Sequence, residues 1–405
     1  MIIKDVGVLH SVRNTVLSAK CKVRRVGWDN VYFKVDSAYN GYVCEDASPF
    51  ATALLLPSMK QGEDLVIEGS ISKQLWAGMH TVIEEVLRWG IGLKPINIKA
   101  EELIVDTHEP SGIASFFSGG VDSFYTYLKH RHSPDPAQRI DSLLFINNSF
   151  DIDPRNTELW DLTLRNLRAI ADQEHINLVV AVSNVNSQLL ANILPWDYIH
   201  GACLAAMGQF LCKGFRKIYI PSTHSVEEQI PWGSNLALDE NWSTETLTFE
   251  HDGSETTRAN KIISYVARSP LALKYLRVCY KNSKGAYNCG KCDKCMRTMV
   301  SLYIAGALER AETLPHQIDT DLLARTPTIR GEHGGIFHNE NLSILRERNV
   351  APELEKAMMA SLELTASLKE NDQSWIRDKV VYFDHMYTRG YLNRRLSSMF
   401  GKKYS

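Results

Sequence analysis

Short, continuously apolar segments alternate with longer helix-like segments between residues 106 and 221, and this pattern limits the fold most strongly. The strand candidates are residues 113–117 (IASFF), 142–146 (SLLFI), 177–182 (NLVVAV) and 217–221 (KIYIP). The segments between them predict helices at about residues 121–130, 155–175 and 198–213. Uninterrupted apolar strands separated by helices are typical of a parallel sheet covered on both faces. We therefore predict an α/β fold with a doubly wound parallel sheet.

Changes in sequence texture predict three domains in the chain of 405 residues. They are an N-terminal α+β accessory domain (1–105), the domain of alternating strands and helices (106–300) and a helical C-terminal region (301–405). In the first domain, Ser72 is placed to cap a helix that Gly90 ends. In the last, helices are predicted in 352–369 and 375–400. The stretch 311–348, which Pro and Gly interrupt, is predicted to be rich in loops.

Composition and charge narrow the class of partner. The formal net charge is −2, which gives no overall attraction to a polyanion, so a nucleic-acid partner is not favoured. A net charge of −2 is nevertheless compatible with a local basic patch. The N-terminus lacks the layout of a signal peptide, and no apolar run approaches the roughly 20 residues that span a bilayer. We expect a cytoplasmic protein without a membrane partner.

A turn rich in serine and glycine, SGGVDS at 118–123, follows the first predicted strand and precedes a helix. Gly119 and Gly120 allow positive φ and close approach of a ligand, and amide groups at a helix start form an anion site. Ser118 and Ser123 add hydroxyl donors. Asp122 would repel phosphate unless Mg²⁺ lies between them. A tight turn capped by Ser and Asp is the structural alternative, since the turn has neither the Walker A pattern nor the dinucleotide fingerprint.

Half of the eight cysteines lie within 17 residues, in the pattern C-x9-C-x2-C-x2-C. These are Cys279, Cys289, Cys292 and Cys295. Four thiolates close a tetrahedral Zn²⁺ site with no open position, which predicts a structural zinc. An iron–sulfur cluster and unliganded thiols are the alternatives. The isolated Cys21, Cys44, Cys203 and Cys212 are predicted to be packing residues.

A long segment after the fourth strand, residues 220–243, is dense in residues that bind planar polar ligands. Its candidates are Ser222, Thr223, His224, Glu227, Trp232, Ser234, Asn235, Asp239 and Trp242. Tryptophan can stack on a base, and a carboxylate accepts from paired N–H groups. A surface loop whose aromatic side chains pack on the sheet is the alternative. Further along, Arg258 is a candidate clamp for a carboxylate or phosphate, although a capping turn explains that region equally well.

The turn at 118–123 resembles the S-G-G-x-D-S loop of the PP-loop N-type ATP pyrophosphatases, which cleave ATP between the α and β phosphates. Together with CGKCDKCMR at 289–297, it resembles the 7-cyano-7-deazaguanine synthase family over roughly residues 110–300. The resemblance implies an adenine nucleotide alpha hydrolase-like fold. It implies that Ser118, Gly119, Gly120, Asp122 and Ser123 hold pyrophosphate, with Ser118, Asp122 and Ser123 as the catalytic residues. Beside the resemblance, we predict nucleotide contacts from Val121, Asn147, Asn148 and His200, and substrate contacts from Thr223, His224, Trp232, Ser234, Asp239 and Arg258.

The chain departs from this family at the helix predicted for residues 198–213. The family has an Arg-Asn pair that faces the nucleotide, and this chain has His200 and Gly201 there. A protonated His200 would face phosphates, and a local hydrogen bond at the helix start is the alternative.

The resemblance implies a ligase that adenylates a 7-deazaguanine-type carboxylate, releases pyrophosphate and passes the acyl group to a nitrogen nucleophile. Longer relatives occur in bacterial antiphage operons, so a protein amine docked by residues 1–105 is one expected acceptor. Ammonia, which gives the nitrile of queuosine biosynthesis, is the alternative. A tRNA-modifying PP-loop enzyme and a catalytically degenerate nucleotide-binding subunit are further alternatives. ATP, Mg²⁺ and Zn²⁺ are the expected cofactors, and a homodimer is the expected assembly.

Overall fold

The computed structural model of the chain describes residues 1–23, 27–147, 152, 156–186, 193–228, 230–282, 285–328 and 335–370. Within these residues, ten strands form one sheet. They are β1 (Ile2–His10), β2 (Asn14–Val23), β3 (Gly27–Asp36), β4 (Leu65–Ser72), β5 (Ile98–Ile104), β6 (Gly112–Phe116), β7 (Ser142–Asn147), β8 (Asn177–Ser183), β9 (Phe215–Pro221) and β10 (Thr248–Asp252). Their spatial order is β10-β9-β6-β7-β8-β3-β2-β1-β4-β5.

Five neighbouring strands, β10, β9, β6, β7 and β8, pair in parallel. If these five are renumbered along the chain, their order is 3-2-1-4-5 from one side, which is the order of doubly wound nucleotide-binding sheets. The order reverses between β6 and β9. In open α/β sheets, ligands bind beyond the carboxyl ends of the strands at this reversal. The ends of β6 and β9 are therefore where this strand order would place a ligand.

Helices of the described residues lie on both faces of the sheet. They are α1 (Ser48–Gln61), α2 (Lys73–Leu87), α3 (Val121–His130), α4 (Thr157–Glu174), α5 (Trp196–Phe210), α6 (Arg258–Ser264), α7 (Pro270–Tyr275), α8 (Asp293–Ile304), α9 (Thr320–Arg325), α10 (Ile336–Arg348) and α11 (Pro352–Glu370). The four predicted strands and the three predicted helices between them are confirmed, with ends shifted by a few residues.

Alternate side chains of the parallel strands enter two different hydrophobic cores. Ala114 and Phe116 of β6 pack in a core shared with α1, α2 and α5. Ile113 of the same strand packs in a second core with α3, α4, α7 and α8. A strand that is buried on both faces has no solvent-exposed polar face, which explains the largely apolar sequence of β6 and β7.

The N-terminal region continues the same sheet. Phe33 of β3 pairs with Ser183 of β8 in antiparallel register. The hydroxyl of Ser183 donates to the carbonyl oxygen of Tyr32 at 2.7 Å. Strands that precede residue 105 in the sequence and strands that follow it thus share one hydrogen-bonded sheet and one hydrophobic core. The predicted three-domain division stays a prediction, and the described sheet has no break at residue 105.

Some local predictions are confirmed and others are wrong. Ser72 does cap α2, because its hydroxyl accepts from the amide of Leu75 at 3.0 Å. The helix predicted at 352–369 is α11. The loop-rich prediction for 311–348 is wrong in part, since α10 occupies its second half. The helix predicted at 375–400 lies outside the described residues.

Candidate functional site

The turn between β6 and α3 lies at the carboxyl end of β6, beside the point where the strand order reverses. Gly119 has φ of 74°, a left-handed conformation that a residue with a Cβ rarely adopts. Gly120 is the N-cap of α3, and the Ser123 hydroxyl donates to its carbonyl oxygen at 3.1 Å. The first amides of a helix have no partner within the helix, so the start of α3 offers backbone donors at this end of the sheet. The local geometry suits an anionic ligand.

A segment from the cysteine-rich region supports this turn from the side. The amide of Arg277 donates to the carbonyl oxygen of Gly119 at 2.8 Å. The hydroxyl of Tyr287 donates to the carbonyl oxygen of Tyr275 at 3.1 Å, and both groups lie close to Gly119. Position 119 therefore depends on contacts with residues more than 150 positions away in sequence.

Asp122 faces two cationic side chains of α6. Its Oδ2 accepts from Arg258 Nη1 at 2.6 Å, and its Oδ1 lies 3.8 Å from Lys261 Nζ. Lys261 is fully buried and donates to the carbonyl oxygen of Ser222 at 2.7 Å. Burial lowers the pKa of Lys261, while the Asp122 carboxylate opposes that shift. The predicted candidates Asp122 and Arg258 are thus brought into contact.

Sequence reasoning missed Lys261. A lysine in a short helix is normally exposed, and no motif marks it. The available signal was its spacing, because Arg258 and Lys261 are three residues apart and share one face of α6.

A second group of polar side chains, contributed by α8 and α10, adjoins this pair. Arg297 lies 3.5 Å from Asp293, and His338 lies 3.5 Å from the other oxygen of the same carboxylate. All three side chains are at least nine-tenths buried. Burial lowers the pKa of Arg297 to about 10 and that of His338 to about 4. Arg297 is therefore charged near neutral pH and His338 is neutral.

The ring of Phe337 connects the two groups. The guanidinium carbon of Arg297 lies 4.0 Å from the ring centroid, and that of Arg258 lies 5.6 Å from it. The ring also stacks on His224, with centroids 5.1 Å apart and planes 26° apart. Glu340 of the same helix accepts from the amide of Ala259 at 2.9 Å, and burial raises its pKa.

Several buried polar atoms of these groups have no hydrogen-bond partner among the described residues. They are Asp122 Oδ1, Arg258 Nε, Asp293 Oδ1 and Oδ2, Arg297 Nε, His338 Nδ1 and Glu340 Oε1. Buried polar groups are normally satisfied by protein, water or a ligand. Donors and acceptors concentrated beside a phosphate-type turn are what a small polar ligand requires.

The segment at 220–243 is partly folded into the protein interior. His224 Nδ1 lies 2.7 Å from Glu228 Oε2, and the ring of Trp232 lies 4.9 Å from that of His224. Thr223 is half-buried beside them. Trp242, in contrast, is fully buried in the core next to α5, so it cannot stack on a ligand there.

Ser234 and Asp239 form an internal network with His251. The Ser234 hydroxyl donates to Asp239 Oδ2 at 2.6 Å, and His251 Nδ1 lies 2.7 Å from the same oxygen. All three residues are buried. This arrangement fixes the segment to β10, which differs from the direct contact with substrate that the sequence predicted for Ser234 and Asp239.

His200 lies in an aromatic cluster with Trp196 and Trp232. Its Nδ1 is 3.2 Å from the carbonyl oxygen of Trp196, and its ring centroid is 5.0 Å from that of Trp232. Burial lowers the pKa of His200, so the protonated form required by the phosphate prediction is disfavoured near neutral pH. The alternative, a local hydrogen bond at the helix start, is the arrangement found.

Gly201 has a packing role. A Cβ at this position would overlap the backbone of Gly233, whose amide donates to the carbonyl oxygen of Asp197 at 2.7 Å. The departure from the Arg-Asn pattern therefore accompanies close contact between α5 and the 220–243 segment. Of the predicted nucleotide contacts, Asn147 ends β7, and Asn148 lies outside the described residues.

The four cysteines of the C-x9-C-x2-C-x2-C pattern converge, as predicted. Their sulfur atoms all lie within 4.8 Å of one another, with Cys279 to Cys292 at 3.8 Å and Cys289 to Cys295 at 3.9 Å. Tetrahedral zinc with Zn–S bonds of about 2.3 Å requires sulfur atoms about 3.8 Å apart. The cluster could therefore hold a metal such as zinc.

Comparison of the chain with family models, with curated proteins and with solved structures finds no match. The family resemblance and its implications thus stay predictions. Among the helices of the described residues, none has the length and apolar character that crossing a membrane demands.

Proposed function

We propose that the chain is an ATP-dependent ligase that adenylates a planar, 7-deazaguanine-type carboxylate and releases pyrophosphate. The observation that carries the proposal is the position of the 118–123 turn. It follows the central parallel strand, lies where the strand order reverses and presents the amides of α3 beside Arg258 and Lys261. This geometry supports binding of the β and γ phosphates of magnesium-ATP, which enters as the substrate. An adenine nucleotide alpha hydrolase-like fold belongs to the same proposal.

In the proposed reaction, a carboxylate oxygen attacks the α phosphorus, and the bond from that phosphorus to the bridging oxygen breaks. Pyrophosphate leaves with the electron pair, and an acyl-adenylate forms. Amides of the turn and the hydroxyl of Ser118 would stabilise the charge on the leaving pyrophosphate, while the hydroxyl of Ser123 holds the carbonyl oxygen of Gly120. Asp122 would position Arg258 and Lys261 around that charge, since it contacts both cations.

The substrate is proposed to bind near Phe337. The planar side chains of Phe337, His224 and Arg297, which pack on one another there, support binding of a planar group beside them. The Nε atoms of Arg258 and Arg297 are donors suited to a carboxylate, and Glu340 is an acceptor suited to the N–H groups of a guanine-like edge. A nitrogen nucleophile then attacks the acyl carbon, and AMP leaves.

Pyrophosphate release tests the proposal. The purified chain is incubated with Mg-ATP and 7-carboxy-7-deazaguanine, and pyrophosphate and AMP are measured with time. We expect release that depends on the carboxylate and falls at least 100-fold in Asp122→Ala. Asp161→Ala, on the exposed face of α4, is the matched control and should retain full activity. Absence of release with every deazaguanine carboxylate would overturn the proposal and favour a nucleotide-binding subunit.

The acceptor is tested separately by mass spectrometry of the products. With ammonia as the nitrogen source, efficient formation of the nitrile would identify the queuosine-type reaction. We propose instead that a protein amine is the acceptor, which predicts a covalent mass increase on a co-purified or co-expressed protein. Pyrophosphate release with neither product would leave the adenylation proposal intact and exclude both acceptors.

A further inference from the structure

Among the residues that the structure describes, no helix packs on one face of the N-terminal strands. Along β2 and β3, residues such as Leu17 and Phe33 are buried in the first core, and the alternate residues point to the other side. On that side Lys20, Lys22 and Asn30 are exposed, and Trp28 is 43% exposed. We call this side of β1, β2 and β3 the open face.

The open face carries lysines grouped around an aromatic ring. Lys4 Nζ lies 4.3 Å from the centroid of the Trp28 ring, and Lys22 Nζ lies 5.8 Å from it. Lys20 adjoins them and forms an ion pair with Asp5 at 2.9 Å. A tryptophan is among the best partners for a cation, but burial of its large apolar surface is normally favoured. Its exposure beside three ammonium groups marks a surface with local positive charge in a chain of net charge −2.

The register places this patch at the same edge of the sheet as the 118–123 turn. Phe33 is opposite Ser183, the last residue of β8. Because β3 runs antiparallel to β8, the residues before Phe33, including Trp28, extend beyond the carboxyl end of β8. The carboxyl ends of β6 and β9 lie at that edge too. A molecule bound on the open face would therefore extend along the ligand-binding edge.

We propose that the open face binds a single-stranded nucleic acid segment. Such a strand carries a negative charge and a flat base on every nucleotide, which matches lysines that surround an exposed indole. An acidic peptide offers the charges but no ring to stack on Trp28. From Trp28 to Lys34 the same face of β3 extends over about 20 Å, which is enough for a few nucleotides. The proposal is independent of the reaction proposed above.

The test is fluorescence anisotropy of labelled 12-nucleotide oligothymidylate and oligouridylate, titrated with the full chain at about 50 mM salt and above. With contacts from Lys4, Lys22 and Lys34, the slope of log affinity against log salt should be about −2, since each phosphate contributes about −0.7. Lys22→Ala should reduce the slope by about 0.7. Lys73→Ala, an exposed lysine on α2 and so on the other side of the sheet, is the matched control and should change nothing.

The aromatic contact is tested with a conservative pair. Trp28→Leu should weaken binding roughly tenfold, and Trp28→Phe should retain most of it. Thermal unfolding of each variant checks that the fold is intact. Lack of binding at about 100 μM chain would overturn the proposal. So would binding that neither Lys22→Ala nor Trp28→Leu changes, because the site would lie elsewhere. Binding of polyglutamate that depends on Lys22 but not on Trp28, without oligonucleotide binding, would assign the face to an acidic protein instead.

Discussion

At the scale of single residues, the sequence identified side chains but not their partners. Asp122 and Arg258 were each recognisable as candidates, and the 2.6 Å contact between them joins positions 136 residues apart. No local spacing encodes such a contact. His200, Ser234 and Asp239 have the chemistry of ligand-binding residues, but burial and internal hydrogen bonds decide their roles. Ser234 donates to Asp239, and His200 bonds to the backbone of Trp196, contacts that only the folded chain reveals.

The buried carboxylate of Asp252 positions α3, the helix that follows the 118–123 turn. It accepts from Thr126 at 2.7 Å, from His130 at 2.8 Å and from Lys129 at 2.9 Å, all on α3. Burial raises the pKa of Asp252, but hydrogen bonds from His130, Thr126 and Lys129 outweigh it and hold the pKa well below its usual value. Edge strand β10 is thereby fixed to α3.

We predict that Asp252→Asn lowers the free energy of unfolding by about 3 kcal/mol, because it leaves buried donors without their charged acceptor. A lowered folded-state pKa stabilises the fold above the unfolded value near 4, and this contribution is lost as the pH falls further. The native chain should therefore lose more stability than the variant between pH 5 and pH 3. Urea unfolding of both proteins at pH 5 and at pH 3 measures the change in the free energy of unfolding.

Asp64→Asn serves as the control, since the ion pair of Asp64 with Lys99 is solvent-exposed and should contribute little. Equal losses of stability in Asp252→Asn and Asp64→Asn would contradict the role assigned to Asp252.

At the scale of elements, prediction succeeded where the pattern was uniform. β6 and β7 are buried on both faces, β8 and β9 are mostly apolar, and α3 starts directly after two glycines. β10 was missed because its edge position exposes Thr248 and half-exposes Glu250, so its apolar content is low. α10 was missed because its buried face includes His338 and Asn341. Polar residues that are buried through specific contacts do not produce an amphipathic pattern.

The cysteine cluster and the 118–123 turn are coupled through a few backbone contacts. Asn288 accepts from the amides of Val278 and Cys279 at 2.8 and 3.1 Å and donates to the carbonyl oxygen of Leu276 at 2.8 Å. The amide of Arg277, two residues before Cys279, donates to the carbonyl oxygen of Gly119. A metal held by the four thiolates would fix Cys279, close to Arg277, and Cys289, which follows Asn288 directly.

We predict that removing the metal increases hydrogen exchange in the turn as well as in the cluster. After treatment with a chelator, amides in 275–292 and in 117–123 should exchange at least tenfold faster, while those of β2 should not change. Cys289→Ser should produce the same pattern without chelator. Metal content measured on the same samples provides the control. Faster exchange in the cluster with an unchanged turn would contradict the coupling.

At the scale of the whole molecule, the sequence did not reveal that the N-terminal strands continue the central sheet. The antiparallel pairing of β3 with β8 joins residues about 150 positions apart, and β-strand patterns specify a buried face but not a neighbour. The consequence is a core in which Phe33 of β3 stacks on Phe210 of α5, with ring centroids 5.8 Å apart. Residues 1–105 therefore supply part of the sheet and of the hydrophobic core on which the candidate site is built.

We predict that residues 106–405 expressed alone do not fold cooperatively. Their β8 edge would be unpaired, and the partners of α5 in the first core would be absent, at a cost of about 1.5–3 kcal/mol for each large side chain exposed. Circular dichroism with thermal unfolding should show no sharp transition, and the fragment should aggregate. Co-expression with residues 1–105 as a separate chain should restore a soluble complex. Cooperative unfolding of residues 106–405 alone would instead support an independent domain that begins near residue 106.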